Sequence, residues 1–191
     1  MMRLKPWPED ERGGMLTLAN RLTILRILMT PVIMLLLLYR QMGAALALFL
    51  LAGITDGLDG LVARSQKQKT TLGMVLDPVA DKLLLTTTVI TLTVLKELPR
   101  WFTIIVVSRD VLLIGGSLIL YMFLGKIGAP PSWLGKATTG FQLLTVLSTM
   151  LDNFFPELRV AVLPLVVVTL TLTIASGLDY IYRGARLLND Q

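Results

Sequence analysis

Four aspartates in the second quarter of the chain stand at spacings that bring them together on helices. They are Asp56, Asp59, Asp77 and Asp81. The first two are three residues apart and the last two are four apart, so each pair lies on one face of a helix. Because a short loop joins the two helices, the four carboxylates should converge. Unpaired, they would repel one another, and keeping them charged near hydrocarbon would cost free energy. One or two divalent cations would remove that cost, and ligation by oxygen alone favours Mg²⁺ or Mn²⁺.

Small residues and one arginine flank the acids. Gly57, Gly60 and Gly73 leave the helix faces open, and Ala63 continues the same groove. A phosphate group or a ring can therefore approach the backbone closely. Arg64, one turn beyond Gly60, is spaced to bind phosphate oxygens through two nitrogens. The combination predicts a metal-bridged pyrophosphate site.

Two residue types that often carry catalysis are missing, since the 191-residue chain contains neither cysteine nor histidine. Disulfides, thiolate nucleophiles and cysteine-based metal sites are therefore excluded. Ser-His hydrolysis and histidine-centred phosphoryl transfer are excluded as well. Any catalysis must rest on carboxylates, lysines, arginines, hydroxyls and bound metal.

The elements that carry these residues are expected to be membrane-spanning helices. Hydrophobic residues make up 54% of the chain and charged residues 16%, against about 25% charged in soluble domains. A core of this size cannot bury so much apolar surface, so lipid must be the solvent. Six stretches reach the length of about 20 residues that a spanning helix requires. The predicted all-α bundle has helices at about 21–39, 42–64, 74–96, 101–124, 134–152 and 160–182.

Lysine and arginine placement sets the expected orientation of this bundle. Most cations outside the helices fall on the side of both termini. The opposite side holds only Arg40, Lys96, Arg100 and Arg159. The positive-inside rule then puts both termini in the cytoplasm. Since no targeting segment is recognised, we expect an integral, multi-pass protein of a bacterial inner membrane, with its site facing the cytoplasm.

The chain divides into one domain with short polar ends. Residues 1–19 are interpreted as a juxtamembrane surface arm, residues 20–186 as the six-helix domain and residues 187–191 as a C-terminal tail. Asn20 is expected to cap the first helix, because its side chain can accept a hydrogen bond from a free N–H of the first turn.

At this point the residues resemble a known family. The string D-x-x-D-G-x-x-A-R, eight residues, then G-x-x-x-D-x-x-x-D is similar to the signature of the CDP-alcohol phosphotransferases. Its fixed positions are met by Asp56, Asp59, Gly60, Ala63, Arg64, Gly73, Asp77 and Asp81. The resemblance implies a six-span membrane enzyme, homodimeric in membrane lipid, that transfers a phosphatidyl group from CDP-diacylglycerol to an alcohol and releases CMP.

The same resemblance implies roles for individual residues. The four aspartates would hold two metal ions, and Asp81 would also be the general base that takes the proton from the acceptor hydroxyl. Gly60, Arg64 and Thr70 would contact the CDP moiety, with Ala63 and Gly73 lining the same donor site.

The acceptor is expected to carry a phosphate. Arg109 lies in the middle of the fourth predicted helix, where a cation needs an anionic partner, and Lys136 begins the fifth. Together they would hold the phosphate of glycerol 3-phosphate. The Leu134-Gly135-Lys136 stretch and residues 176–184 resemble phosphatidylglycerophosphate synthases. Against that, Ser108-Arg109-Asp110 is similar to the cardiolipin synthases that use CDP-diacylglycerol, whose acceptor is phosphatidylglycerol.

Other classes of function explain the pattern less well. Intramembrane acids can form the ion path of a transporter or pair structurally with Arg26, Lys82 and Arg109. The fixed spacing of the eight motif positions favours the enzyme over the transporter. The basic pI of 9.7 is explained by membrane topology, so no nucleic-acid partner is expected.

Overall fold

The protein is an all-helical chain in the part that its computed structural model describes, which comprises residues 18–66, 71–124 and 132–189. Six α-helices follow one another there, with a short 3₁₀ turn at Pro156–Leu158. They are α1 (Leu18–Leu38), α2 (Met42–Gln66), α3 (Thr71–Val94), α4 (Arg100–Leu124), α5 (Trp133–Leu151) and α6 (Arg159–Asn189). The prediction of six helices is confirmed.

The helix ends differ from the prediction in three places. α1 begins at Leu18, so Asn20 lies inside the helix and the expectation that it is the N-cap is wrong. α3 begins at Thr71, which puts Gly73 in its first turn. α6 continues to Asn189, so most of the expected tail is helical. Residues 1–17, which make up most of the expected arm, lie outside the described residues.

One helical stretch among the described residues is both long and apolar enough to cross a membrane. It is Pro156–Arg186. The apolar stretches Thr23–Leu38 and Met42–Thr55 are shorter. By length and composition, α6 is therefore the clearest membrane-span candidate in this part of the chain.

The chain divides into two compact units, residues 1–87 and 88–191. In the first unit α1 packs against α2, and Ala45 and Ala52 are fully buried, so small side chains allow the helices to approach closely. The turn between them is a Schellman motif. The N–H of Gln41 donates to the carbonyl of Leu36 at 2.8 Å, and the N–H of Arg40 donates to that of Leu37 at 2.9 Å.

In the second unit α5 and α6 meet along a seam of buried polar side chains. The hydroxyls of Thr145 and Thr169 lie 2.8 Å apart across the seam, and Thr138 donates to the carbonyl of Leu172 at 3.1 Å. Hydroxyl groups of this kind hold neighbouring helices together through hydrogen bonds. α6 also packs against α4, so it has helical neighbours on two sides, α4 and α5.

Candidate functional site

The four motif aspartates lie on two continuous helices. Asp56 and Asp59 are in α2, and Asp77 and Asp81 are in α3, so the helical spacing that pairs them is present. Only Asp81 has a described side chain. The other predicted site residues of this region lie outside the described residues, either entirely or in their side chains and surroundings. They are Asp56, Asp59, Gly60, Ala63, Arg64, Thr70, Gly73 and Asp77. Their ligand roles therefore stay predictions.

Asp81 forms an ion pair with Arg26 of α1. Arg26 Nη1 donates to Asp81 Oδ1, and the arginine is 2% exposed while the carboxylate is 47% exposed. A guanidinium buried this deeply in α1 needs an anion, and Asp81 supplies it. The contact fixes the orientation of the carboxylate, and it gives Arg26 the partner that the sequence left unidentified.

The residues present fit a divalent cation. The donor set of the motif consists of carboxylates, which are the ligands that Mg²⁺ and Mn²⁺ prefer. The helical spacing places positions 56 and 59 on one face of α2 and positions 77 and 81 on one face of α3, and the Asp81 carboxylate is half-exposed, so it is accessible to an ion. This chemistry suits a hard cation that binds a pyrophosphate.

A cavity of about 540 Å³ lies in the second unit between α4, α5 and α6. Its polar lining comes from all three helices: Arg109 and Ser117 of α4, Lys136 and Thr139 of α5, Ser176, Asp179, Tyr180 and Arg183 of α6, and Ser132 before α5. Both residues that the sequence predicts for acceptor binding, Arg109 and Lys136, line it. The charged groups of the described lining are three cations and one carboxylate, which favours an anionic ligand.

Arg109 is the most deeply placed of these cations. It is 7% exposed, and its Nη2 donates to Ser176 Oγ at 2.7 Å while its Nη1 donates to Asp110 Oδ1 at 3.1 Å. No described residue accepts a hydrogen bond from the buried Nε. The guanidinium is thus held from two sides within the cavity wall, and three of its five N–H groups, the buried Nε–H among them, have no described acceptor and can donate to a ligand.

The start of α5 brings Lys136 to the same cavity. Ser132 is the N-cap, since its Oγ accepts a hydrogen bond from the Gly135 N–H at 2.9 Å. Gly135 lies directly beside the guanidinium, since a Cβ there would be 3.4 Å from Arg109 Nη2. Lys136 is exposed, and its Nζ lies 5.7 Å from the centre of the Trp133 ring. The ammonium therefore makes a cation–π contact with the exposed Trp133 ring, while Lys136 lines the cavity.

Two further pairs line the cavity that the sequence analysis did not identify. Arg183 and Asp179, one turn apart on α6, form an ion pair in which Nε donates to Oδ1 at 2.9 Å and Nη2 lies 2.7 Å from Oδ2. The hydroxyls of Tyr180 and Ser117 lie 2.8 Å apart and join α6 to α4. The i, i+4 spacing of the acid and the arginine was visible in the sequence, whereas the hydroxyl pair depends on how α4 and α6 cross.

Comparison with known proteins identifies the family. The model of the CDP-alcohol phosphatidyltransferases matches residues 16–175, which is most of the chain. The chain belongs to the CDP-alcohol phosphatidyltransferase family. This confirms the resemblance inferred from the aspartate motif, and it makes the protein a transferase of a family that is associated with membranes and generally depends on a divalent metal.

The relatives of this phosphatidyltransferase fall into two groups by name. It is 35% identical to a probable phosphatidylglycerophosphate synthase of Mycobacterium tuberculosis, over 92% of this chain and 85% of the relative. It is 31% identical to the CDP-diacylglycerol–glycerol-3-phosphate 3-phosphatidyltransferase of Aquifex aeolicus, over 88% of this chain and 96% of the relative. It is also 34% identical to the CMP-forming cardiolipin synthase of Rattus norvegicus, over 73% of this chain and 51% of the relative. All three names belong to phospholipid biosynthesis.

Proposed function

We propose that this phosphatidyltransferase transfers the phosphatidyl group of CDP-diacylglycerol to glycerol 3-phosphate, giving phosphatidylglycerophosphate and CMP. The observation that carries the proposal is the position of Arg109. Its guanidinium is 7% exposed, lines a cavity between three helices and keeps a buried donor for a ligand. A phosphate on the acceptor would supply the anion that this donor requires.

The charge of the cavity supports glycerol 3-phosphate as that acceptor. Arg109, Lys136 and Arg183 face it with Asp179 as the single carboxylate of the described lining. A phosphate monoester carries close to two negative charges at neutral pH, since its second pKa is about 6. A phosphodiester such as phosphatidylglycerol carries one. Counted with Asp110, which pairs with Arg109, these groups still carry a net positive charge, which attracts the doubly charged monoester more strongly than the singly charged diester.

The reaction breaks the phosphoanhydride bond of CDP-diacylglycerol and forms a phosphoester bond to the acceptor. The acceptor hydroxyl attacks the phosphorus that bears diacylglycerol, the bond from that phosphorus to the bridging oxygen breaks, and CMP leaves with the oxygen. Asp81, oriented by Arg26, takes the hydroxyl proton. Asp56, Asp59, Asp77 and Asp81 would hold two divalent cations, whose chemistry there is to neutralise charge on the pyrophosphate. Gly60, Ala63, Arg64, Thr70 and Gly73 would bind the CDP-diacylglycerol.

The proposal includes the membrane arrangement expected from the sequence. All six helices would cross the membrane, both termini would lie in the cytoplasm, and the enzyme would act as a homodimer in a bacterial inner membrane. The exposed apolar side chains of α1 and α4, such as Leu28 and Ile114, support contact with lipid. Cysteine scanning of this cysteine-free chain with an impermeant thiol reagent tests the topology.

A second acceptor has one specific observation in its favour. The Ser108-Arg109-Asp110 sequence is similar to the cardiolipin synthases, and CMP-forming cardiolipin synthases are among the relatives. In that reaction phosphatidylglycerol would be the acceptor and cardiolipin the product.

One assay separates these possibilities. Purified protein is incubated with labelled CDP-diacylglycerol, Mg²⁺ or Mn²⁺, and either glycerol 3-phosphate or phosphatidylglycerol, and the lipids are separated by chromatography. We expect CMP release and phosphatidylglycerophosphate only with metal and glycerol 3-phosphate. Cardiolipin from phosphatidylglycerol, with no product from glycerol 3-phosphate, would establish the second acceptor. Activity that a chelator leaves intact would contradict the role of the aspartates.

The cavity assignment has a matched test. Arg183 lines the cavity, whereas Arg186, an exposed cation one turn further along α6, is not part of its described lining. Arg183→Ala should raise the KM for glycerol 3-phosphate about tenfold or more, the equivalent of one charge-assisted contact, whereas Arg186→Ala should leave it unchanged. If the two variants raised the KM equally, the effect would reflect the general positive charge of this end of α6, and the cavity assignment of Arg183 would be contradicted.

A further inference from the structure

A second cavity lies in the turn between α3 and α4, away from every residue assigned above. It measures about 440 Å³ and is lined by Thr93, Lys96, Glu97, Leu98, Pro99 and Arg100. Leu98 is buried and anchors the turn, and α4 begins immediately after Pro99. Two cations and one carboxylate make up its described charged lining.

The backbone at Lys96 is strained in a way that a glycine would avoid. The turn is a Schellman motif, with the N–H of Lys96 donating to Thr93 at 3.0 Å and the N–H of Glu97 donating to Leu92 at 2.9 Å. Lys96 occupies the left-handed position of this motif with φ of 66°. Glycine is the usual residue there, and a side chain costs about 1–2 kcal/mol.

Arg100 stands in an equally unfavourable position for its charge. It is the first residue of α4, and the N-terminus of a helix carries partial positive charge that repels a cation and attracts an anion. Arg100 and Lys96 are both exposed, and neither forms an ion pair with any residue that the structure describes. An anion between them would contact two cations and the free N–H groups of the first turn of α4.

The surroundings of the cavity favour a lipid as the source of this anion. Val94, Trp101 and Ile104 flank it along α3 and α4, and all three are exposed, the indole to 47%. A tryptophan beside cations is typical of the membrane–water interface, where rings lie at the level of the headgroups. An acyl chain would cover the apolar flank while the headgroup entered the turn.

We propose that Lys96 and Arg100 bind the phosphate of an anionic phospholipid headgroup in the α3–α4 turn. The inference rests on the membrane arrangement proposed above, in which this turn lies at the face opposite to the termini. It does not depend on the acceptor or on the acidic motif. A bound lipid would offset the strain at Lys96 and the misplaced charge of Arg100, so the protein would be more stable in anionic membranes.

The test measures thermal unfolding in nanodiscs of phosphatidylcholine with and without phosphatidylserine, an anionic lipid that is not one of the two acceptors considered above. The wild type should unfold at a higher temperature when phosphatidylserine is present. Lys96→Gly should raise the unfolding temperature in phosphatidylcholine alone, because glycine relieves the strain, yet lose most of the increase from phosphatidylserine. Lys96→Gly combined with Arg100→Gln should lose all of it.

Controls separate this site from general electrostatics and from free phosphate. Arg159→Gln removes an exposed cation at the first residue of α6, which lines neither described cavity, and should retain the full increase. Inorganic phosphate added to phosphatidylcholine discs should not reproduce the increase. The proposal is overturned if the double variant responds to phosphatidylserine like the wild type, if Arg159→Gln loses the response equally, or if inorganic phosphate produces it. CMP release measured in the same discs reports separately on the proposed reaction.

Discussion

Gly116 and Tyr180 provide the sharpest test of the acceptor cavity. A Cβ added at Gly116 would lie 2.7 Å from Tyr180 Cε1, whereas ordinary contacts begin at 3.4 Å. The ring would have to move by the difference, about 0.7 Å. Its hydroxyl lies 2.8 Å from Ser117 Oγ, so a displacement of this size would stretch that hydrogen bond to its limit. Gly116→Ala therefore disturbs one wall of the cavity without touching a charged residue.

The expected cost follows from these contacts. Overpacking of a fitted interface costs about 1–3 kcal/mol, and the weakened hydroxyl pair adds about 1 kcal/mol. Gly116→Ala should lower thermal stability in detergent and raise the KM for glycerol 3-phosphate about tenfold, since Tyr180 lines the cavity. The KM for CDP-diacylglycerol should change little.

The neighbouring glycine supplies the control. A Cβ at Gly115 would meet no atom within 4 Å, so Gly115→Ala should be neutral or slightly stabilising, because alanine is the better helix former. In a Tyr180→Ala background, Gly116→Ala should have no further effect, because the ring that it meets is gone. Equal kinetic effects of the two glycine substitutions, or an undiminished effect without the ring, would refute this account of the cavity wall.

Three further predictions concern charge and proton transfer. Arg109→Ala should raise the KM for the acceptor strongly while the affinity for the donor is retained. Arg109→Lys should recover only part of the acceptor affinity, because a point charge cannot reproduce binding through two nitrogens. Steady-state kinetics with each substrate varied in turn would decide this. Asp81→Asn should lower turnover by about 10²-fold or more while donor binding is retained. Asp56→Ala should instead weaken metal-dependent donor binding. Measuring the equilibrium binding of CDP-diacylglycerol as well as the turnover of each variant would distinguish the two effects. The KM for glycerol 3-phosphate should rise as the pH falls through about 6, since the monoester loses a negative charge there. The chain has no histidine or cysteine that could titrate in that range. An acceptor analogue with a higher phosphate pKa should therefore shift the midpoint of the KM–pH curve to higher pH. A midpoint that stays in place would assign the titration to the protein instead of the substrate.

Much of the candidate site follows from spacing along the chain. The aspartate string predicts both the family and the pairing of acids on helices, because helical geometry fixes which side chains share a face. The positions of Arg109 and Lys136 predict an acceptor site because a cation in the middle of a spanning helix requires an anionic partner. Both residues line one cavity, although they are 27 positions apart in the sequence and on different helices.

The remaining features depend on how helices cross, which spacing does not specify. The contacts of Arg109 with Ser176, and of Ser117 with Tyr180, require the particular packing of α4 on α6. The partner of Arg26 likewise depends on how α1 lies against the start of α3. The error at Asn20 has a different cause. Cap preference is a local signal, and the apolar residues before Asn20 allow the helix to begin earlier.

In the arrangement proposed above, the length of α6 would couple the membrane to the substrate. Its 31 residues extend about 46 Å, whereas the hydrocarbon core of a bilayer is about 30 Å thick. The same unbroken helix contains the clearest membrane-span candidate and, near its C-terminal end, Ser176, Asp179, Tyr180 and Arg183 of the acceptor cavity. A helix that tilts to relieve hydrophobic mismatch carries these side chains with it, while α4 and α5 respond according to their own lengths. The acyl-chain length of the surrounding lipids thereby becomes a variable of acceptor binding.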